Sequence, residues 1–223
     1  MSNKKPTTIY TTLWFIVLSL AVSYTPSAQD EDPILDYYTT SSAQVMEAVD
    51  SLLATSRYSF DVTSRYEKLK KGKVTQTDTL KARYYYTGYT LDSQTVDLRT
   101  ADRFDELDFF APNVMAMDYV FSFYPNDTGG PELAIGFDTD TLSSTQPVGM
   151  AIIDRDLFYP HRLHLSYPSE SKHEGFSQTY SFSLQAGSFV FPDTITDNVS
   201  QMGIFFPEHY RRVTTIDNFR IDW

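Results

Sequence analysis

The stretch GMAIIDRDLFYPHRLHLSYP, from Gly149 to Pro168, indicates how the whole chain folds. Its first arm is apolar almost throughout, a charged turn and a proline follow, and its second arm alternates apolar and polar residues. Strict alternation is typical of a β-strand with one buried face. We therefore predict a β-hairpin whose apolar side chains, among them Ile152, Leu163 and Leu165, line a wall.

The same two-residue period occurs on both sides of this hairpin. Two long alternating segments lie between Tyr58 and Tyr86, and the turn Lys70–Lys73 joins them. Further alternating segments run to Trp223, and Pro192 is expected to end one of them. Strands joined by short turns form antiparallel sheets with one apolar face. The pattern predicts roughly nine strands in hairpin order.

One helix is predicted before the strands, from Ser42 to about Ser56. Ser41 or Ser42 can cap it, and Val45, Val49 and Leu52 recur at helical spacing. A sheet as wide as the one predicted twists and tends toward a full or partial barrel. The expected fold is therefore α+β but mainly β: a curled antiparallel sheet wrapped around an N-terminal helix and other apolar contents.

Residues 90 to 118 are unusually apolar for a connection. Val96 and Leu98 indicate a short strand, and TADRFDELDFFAPNVMAM can form a helical turn that Thr100 caps and Pro112 ends. One interpretation makes this segment a plug in the core. The other makes it a flexible lid, since Met and Phe adapt to varied apolar partners. The candidate lid residues are Phe104, Leu107, Phe110, Met115 and Met117.

The N-terminus has the layout of a secretory signal peptide. Lys4 and Lys5 precede the apolar run from Leu13 to Val22, and small residues follow up to Ala28. The run is too short for a membrane span, which needs about 20 apolar residues. We predict a signal peptide over residues 1–28 and a single domain over 29–223, located in the periplasm or secreted.

Composition limits the partners of the mature chain. The formal net charge is −11, and removal of the two N-terminal lysines would make it −13, so nucleic acid is excluded as a partner. The chain has no cysteine, hence no disulfide and no acylated cysteine after the signal. We expect a protein that is not anchored to a membrane after signal cleavage.

No motif for catalysis, metal binding or a cofactor is found in the sequence. His161 and His164 are three residues apart on a predicted strand, so their side chains point to opposite faces. Asp154 and Asp156 lack the further ligands of a calcium loop. Serine elbows and phosphate-binding glycine loops are missing as well. We predict no enzyme activity, no metal and no cofactor.

Most of the chain from Pro33 to Trp223, with its N-terminal helix, long hairpin and run of antiparallel strands, resembles the LolA and LolB lipoprotein-carrier superfamily, and the local match is best in the C-terminal half. GMAIIDRDLFYPHRLHLSYP is similar to that group's apolar strand ending in Asp, short turn, Pro and alternating strand, and TYSFSLQAGSFVFPDTI is similar to the pair that follows. The resemblance implies a half-open barrel with a helical lid that holds acyl chains. It implies as partners a lipid or an acylated protein, and also other envelope proteins.

Three functions remain open at this point. The first is a soluble carrier for lipid or lipoprotein acyl chains, the second a sensing or protein-interaction module on the same fold, and the third an enzyme. The alternative for the aromatic side chains is that they pack against the helix and leave no cavity. The candidate ligand-binding residues share the predicted inner face: Tyr58, Phe60, Val62, Tyr84, Tyr86, Phe121, Phe123, Ile152, Leu163, Leu165, Tyr180 and Phe182.

Overall fold

The computed structural model describes residues 32–100, 107–124, 129–139, 146–167, 173–185, 189–202 and 207–222. The predicted signal peptide and Phe104 lie outside these ranges. In them the chain forms one α-helix, one short 3-10 helix at Val114–Ala116, and ten strands. The helix is α1 (Pro33–Thr55), and the strands are β1 (Arg57–Lys70), β2 (Lys73–Thr87), β3 (Thr90–Arg99), β4 (Val120–Phe123), β5 (Glu132–Asp138), β6 (Val148–Asp154), β7 (Pro160–Tyr167), β8 (His173–Gln185), β9 (Phe189–Met202) and β10 (Pro207–Asp222).

All ten strands belong to one antiparallel sheet. Their order is β3-β2-β1-β10-β9-β8-β7-β6-β5-β4, so every pair of sequence neighbours except β3 and β4 is paired, and β10 also pairs with β1. β3 and β4 form the two edges and do not pair with each other, so the sheet is not closed. The predicted mainly β fold is confirmed.

The sheet curls around the helix. Ten strands at their usual spacing would span about 43 Å if flat, whereas a helix is only about 10 Å across. Nevertheless Met46 and Leu53 of α1 belong to the same buried cluster as Phe60 of β1 and Leu133 of β5. One helix can share a core with strands so far apart in the order only if the sheet bends toward it.

The helix begins earlier than its sequence pattern suggested. It starts at Pro33, not at Ser42, and Ser42 is buried within it. Proline suits the first helical position because its missing N–H would have no intrahelical partner there. The added turns contain the polar run Thr39–Ser42, which hides the helical period. Within the part of the chain that the structure describes, no helix is long and apolar enough to cross a membrane.

α1 closes one end of the curled sheet. Near its start, Tyr37 and Tyr38 contact the ring of Phe158 in the turn between β6 and β7. Near its end, Asp50 accepts a hydrogen bond from Tyr89 in the turn between β2 and β3. Antiparallel pairing brings both turns to the same end of the sheet. The opposite end is called the far end below.

The β2–β3 turn depends on Gly88, which has a φ of +58°. A Cβ atom at this position would lie 2.9 Å from the carbonyl oxygen of Ala54 in α1. The Gly88 carbonyl also accepts a buried hydrogen bond of 2.6 Å from the Tyr58 hydroxyl. The missing side chain therefore lets the turn dock against the end of the helix.

Of two local predictions, the β1–β2 hairpin was right and the strand end at Pro192 was wrong. The hairpin of β1 and β2 is confirmed, and its turn at Lys71 and Gly72 has positive φ angles of 51° and 73°, as the twist of a two-residue hairpin favours. Pro192 does not end a strand, because β9 continues through it to Met202. Pro192 lies opposite Phe182 at a shift in register, where a missing ladder hydrogen bond is tolerated.

The part of the predicted helical turn after Thr100 that the structure describes is not helical. Residues 107 to 113 are not helical, and a short 3-10 helix follows at Val114–Ala116. Residues 101 to 106 lie outside the described ranges. The side chains of Phe109 and Phe110 instead insert among the rings of the sheet, so burial decides the path of this segment.

Candidate ligand-binding face

The inner face of the sheet is built from rows of side chains that run across the strands. The register places Ser64 opposite Leu80 on one side and opposite Thr214 on the other. The same row continues through Ile195 and Tyr180, and then through Leu163 to Phe123 at the far edge. Residues directly opposite one another share a face, so this row crosses the inner face from β2 to β4.

A segment outside the sheet occupies this inner face. We call Leu107–Tyr119 the plug. β3 ends and β4 begins at the far end of the sheet, and the plug contacts α1 through Asn113. Phe109 is buried with its ring centroid 5.1 Å from that of Phe60 and 4.9 Å from that of Tyr84. The plug therefore fills space between the helix and β1 and β2.

Hydrogen bonds at two points hold the plug in place. Asn113 donates from Nδ2 to the carbonyl oxygen of Ala43 in α1 at 3.1 Å. Tyr180 of β8 donates from its hydroxyl to the carbonyl oxygen of Phe110 at 3.5 Å, which is long for a hydrogen bond. The plug is thus held mainly by apolar packing.

A cleft remains between the plug, the helix and the sheet. It has about 260 Å³ of space not filled by atoms, a volume that includes open solvent, and it has room for about one water molecule. Its walls are largely apolar: Met46 from α1, Val114 and Met115 from the plug, and Leu163 and Phe182 from the sheet. An acyl chain needs more room than this cleft offers.

Most of the predicted ligand-binding residues come together on the inner face. Phe121 and Phe123 are half-buried against the core cluster, and the register places them opposite Phe137 and Ile135. The following residues are buried in the cluster itself: Tyr58, Phe60, Val62, Tyr84, Tyr86, Leu163, Leu165, Tyr180 and Phe182. Their role in ligand binding stays a prediction.

Ile152 requires a correction, because it points to the outer face. It lies opposite Ala134 and Arg162, whereas its neighbour Ile153 is buried in the core. The apolar run Met150–Ile153 conceals the alternation, so the sequence alone does not show which isoleucine faces inward. The register with β7 decides it, since Leu163 faces inward opposite Ala151.

The predicted lid residues differ in their burial. Met115 is buried and lines the cleft, while Met117 is 42% exposed. Leu107 and Phe110 are half-buried against the core cluster. Phe110 contacts Tyr86 and Tyr89 edge-on, with ring centroids 5.5 Å and 5.0 Å apart. In this structure the segment fills the core, as the plug interpretation expects.

Several inner-face residues lie outside the predicted ligand-binding set. Phe109 and Phe219 are buried, and each packs with Phe60. Asp197 and Gln178 are buried polar residues on the inner face, and both were overlooked because polar types are normally assigned to the solvent side. Asp197 lies two residues after the buried Ile195 on the same strand. This spacing is the one signal that could have indicated that the Asp197 side chain faces inward.

His161 lies beside carboxylates, as a histidine does in a catalytic acid–base pair. Its Nδ1 lies 2.7 Å from Glu132 Oε1, and its Nε2 lies 3.1 Å from the Tyr159 hydroxyl and 3.4 Å from Asp154 Oδ2. The ring joins β5 to the β6–β7 turn and is not part of the cleft wall. We assign it a structural role. Across the described ranges, no group of three or more His, Asp or Glu residues could hold a metal ion.

Burial of the tyrosines predicts that the free energy of unfolding decreases at alkaline pH. Burial raises the pKa of Tyr86 to about 12, and burial together with Asp50 raises that of Tyr89 to about 12. An unfolded chain loses its phenol protons near pH 10. Stability is therefore full below about pH 10 and falls as the pH rises toward about 12. Urea unfolding at about pH 8 and pH 11 measures this loss, and equal free energies of unfolding would contradict it.

Comparison with known proteins finds similar structures but no match in sequence. No protein-family model matches the chain, and no curated protein matches it either. A LolA superfamily protein of Nitrosomonas europaea is 11% identical, with a TM-score of 0.39 over 82% of this chain and 94% of that one. A domain described as an outer membrane lipoprotein-sorting protein, from Vibrio parahaemolyticus, is 10% identical, with a TM-score of 0.44 over 81% and 91%.

A third similar structure is a DUF1329 family protein from Desulfovibrio piger. It is 12% identical and has a TM-score of 0.41 over 82% of this chain and 93% of that chain. At these identities the likeness concerns the fold alone. The chain is thus similar to a solved LolA superfamily structure, which agrees with the resemblance that the sequence indicated.

Proposed function

We propose that this protein is a non-enzymatic carrier or binding protein for an apolar chain, belonging to a lipid or to an acylated protein. The chain binds on the inner face of the sheet after the plug is displaced. The observation that carries this proposal is the plug itself. It is an apolar segment that belongs neither to the sheet nor to α1, and it occupies the inner face through packing and the hydrogen bonds of Asn113 and Tyr180.

The free energy gained by burying the ligand offsets the free energy lost by exposing the plug. Burying an acyl chain is worth about 0.8 kcal/mol for each CH₂ group. Moving the plug exposes Phe109, Val114 and Met115, which are buried in the closed arrangement. Because an acyl chain would contact the same apolar surfaces, the burial gained by the ligand offsets the burial lost by the plug. Ligand entry then needs no unfolding of the sheet.

A thiol placed on the plug tests this exchange. The chain has no cysteine, so Met115→Cys introduces a unique thiol at a side chain that is only 8% exposed. We expect slow reaction with a thiol reagent in the free protein. Monododecanoylglycerol is added below its aggregation concentration. It should accelerate the reaction about tenfold or more, because the bound chain stabilises the arrangement in which the plug has left the core. Native mass spectrometry of the same sample measures the bound probe.

The matched control is Met117→Cys, whose position is 42% exposed. This thiol should react fast with and without the probe. If mass spectrometry detected bound monododecanoylglycerol while the thiol at position 115 stayed protected, the ligand would bind elsewhere and displacement of the plug would be wrong. If nothing bound and the thiol stayed protected, the carrier function would fail.

One further observation favours a second candidate function, a protein-interaction module. Every residue of β3 is exposed, and this strand is an edge of the sheet. Leu91, Val96 and Leu98 are apolar and more than 40% exposed there. An open edge can accept an extended segment of another protein as an added strand. Absence of amphiphile binding in the thiol experiment would favour this second function.

For localisation we propose the periplasm or the outside of the cell. The support is the basic, apolar and small-residue order of residues 1–28 together with the lack of cysteine in the chain. A chain processed this way would meet lipids and acylated proteins of the envelope, which suits the proposed ligands.

A further inference from the structure

Aromatic rings attach both ends of the plug to the sheet. At one end Phe109 is buried, and its ring centroid lies 5.1 Å from that of Phe60 and 4.9 Å from that of Tyr84. At the other end Tyr119 is buried, and its ring centroid lies 5.2 Å from that of Phe137 on β5. Ring contacts of this kind stabilise a fold by more than their buried area alone. Both ends of the plug therefore belong to the core.

The part of the plug between these ends is held differently. We call residues 112 to 117 the middle segment. Of its six residues only Val114 and Met115 are buried. Its regular structure is the 3-10 helix Val114–Ala116, whose hydrogen-bond geometry is poorer than that of an α-helix. Because the middle segment contains no aromatic residue, its outward movement exposes two buried side chains and separates no pair of rings.

Asn113 makes the closed position of the middle segment costly. Its Nδ2 donates to the carbonyl oxygen of Ala43, but its Oδ1 is buried and has no hydrogen-bond partner among the described residues. A buried acceptor without a donor loses the hydrogen bonds that water would supply outside the core. Movement of the segment toward solvent restores hydrogen bonds to this oxygen. The segment therefore gains polar solvation when it opens.

The surface beneath the middle segment is apolar. α1 contributes Met46 to it, and the sheet contributes Ala151 of β6, Leu163 of β7 and Phe182 of β8. In the described part of the chain, Ser42 is the one polar residue of α1 or the sheet that lines the cleft, and no charged residue lines it. Walls of this composition suit hydrocarbon and not a charged head group.

From this arrangement we propose that an acyl chain binds beneath the middle segment, between Met46 of α1 and Leu163 and Phe182 of the sheet. The middle segment moves outward, and both ends of the plug stay in the core. This inference rests on the proposed carrier function and assigns its ligand to one half of the inner face, the half that β6, β7 and β8 form. The half on β1 and β2 stays covered.

The burial of the plug residues explains this choice of half. Movement of the middle segment exposes Val114 and Met115. Movement of the whole plug would also expose Phe109 and separate its ring from those of Phe60 and Tyr84. The smaller movement costs less and still uncovers an apolar wall. Phe60 and Tyr84 then stabilise the fold without contacting the ligand.

Photo-cross-linking maps the site on the full chain. The probe is monododecanoylglycerol with a diazirine on its acyl chain, and peptide mass spectrometry after irradiation locates the adducts. We expect adducts in the peptides that contain Met46, Leu163 and Phe182, at yields about tenfold above those in β1 and β2. Adducts mainly at Phe60 or Tyr84, or equal yields in both halves, would overturn the assignment.

Two matched substitutions test the same assignment by affinity. Ala151→Leu places a larger side chain in the proposed site and should weaken binding of monododecanoylglycerol about tenfold in isothermal titration. Ala82→Leu makes the same change on β2, where Ala82 is buried opposite Val62, and should leave the affinity within about twofold of the parent. Equal effects of the two substitutions would overturn the site. Thermal unfolding shows whether each variant folds, and the cross-linking map of the parent protein decides the question if one does not.

These outcomes separate the site from the carrier function. Adducts confined to β1 and β2 would agree with a carrier and overturn the proposed site. Native mass spectrometry that detects no bound probe would contradict the carrier function itself.

Discussion

Replacing Phe60 with alanine is expected to lower the free energy of unfolding by about 3 to 5 kcal/mol. Phe60 is fully buried and lies where the plug, β9 and β10 meet β1. Its ring centroid is 5.1 Å from that of Phe109 and 5.5 Å from that of Phe191. Removing the ring loses these contacts and leaves a void that stiff neighbouring strands can close only in part.

The control for this substitution is Tyr85→Ala on the neighbouring strand β2. Tyr85 is 38% exposed on the outer face, so its loss should cost about 1 kcal/mol or less. Urea unfolding followed by circular dichroism compares the two variants with the parent. A loss below about 1.5 kcal/mol for Phe60→Ala would contradict the prediction and would show that the plug collapses into the space.

Gly149→Ala should destabilise the protein by about 3 kcal/mol or more. Gly149 begins the hairpin of β6 and β7 and lies opposite Leu165. A Cβ atom there would overlap the backbone carbonyl oxygen of His164 and would lie 3.0 Å from Phe137 Cζ. Because a backbone atom is the obstacle, no side-chain rotation can relieve the overlap, and β7 would have to move away from β6.

Gly175→Ala in β8 is the matched control, since a Cβ atom at Gly175 would meet nothing within 4 Å. Alanine loses less backbone freedom on folding than glycine, so this variant should be neutral or more stable by up to about 1 kcal/mol. Melting temperatures of both variants check the pair. Gly149→Ala melting within about 2 °C of the parent would mean that the strands do not approach each other this closely.

The faces of the strands could be predicted from the sequence because a two-residue period is a local property. Phe60 and Val62 alternate with polar residues, and both proved to be buried. Where neighbouring residues hid the two-residue or helical period, the prediction of the buried face or of the helix start failed. The apolar run around Ile152 did not show which side chain faced inward, and the polar run Thr39–Ser42 hid the first turns of α1.

The candidate site was predicted only in its apolar part. Aromatic residues in step along a strand indicate an inner face, so Tyr58 and Tyr180 were found. Arg212 and Asp197 could not be, because a charged residue facing inward has the same local pattern as one facing solvent. Their pairing depends on the register of β9 with β10, which no single segment of the sequence contains.

By itself the sequence determined a one-faced antiparallel sheet with a helix in front of it, since hydrophobic periodicity and turn residues act over a few neighbours. Only the tertiary structure decided that Phe109 enters the core, that β9 continues past Pro192, and that Asp197 meets Arg212. The physical reason is that register, curvature and burial depend on contacts between segments far apart in the chain. Their free energies are summed over the whole fold and leave no local pattern.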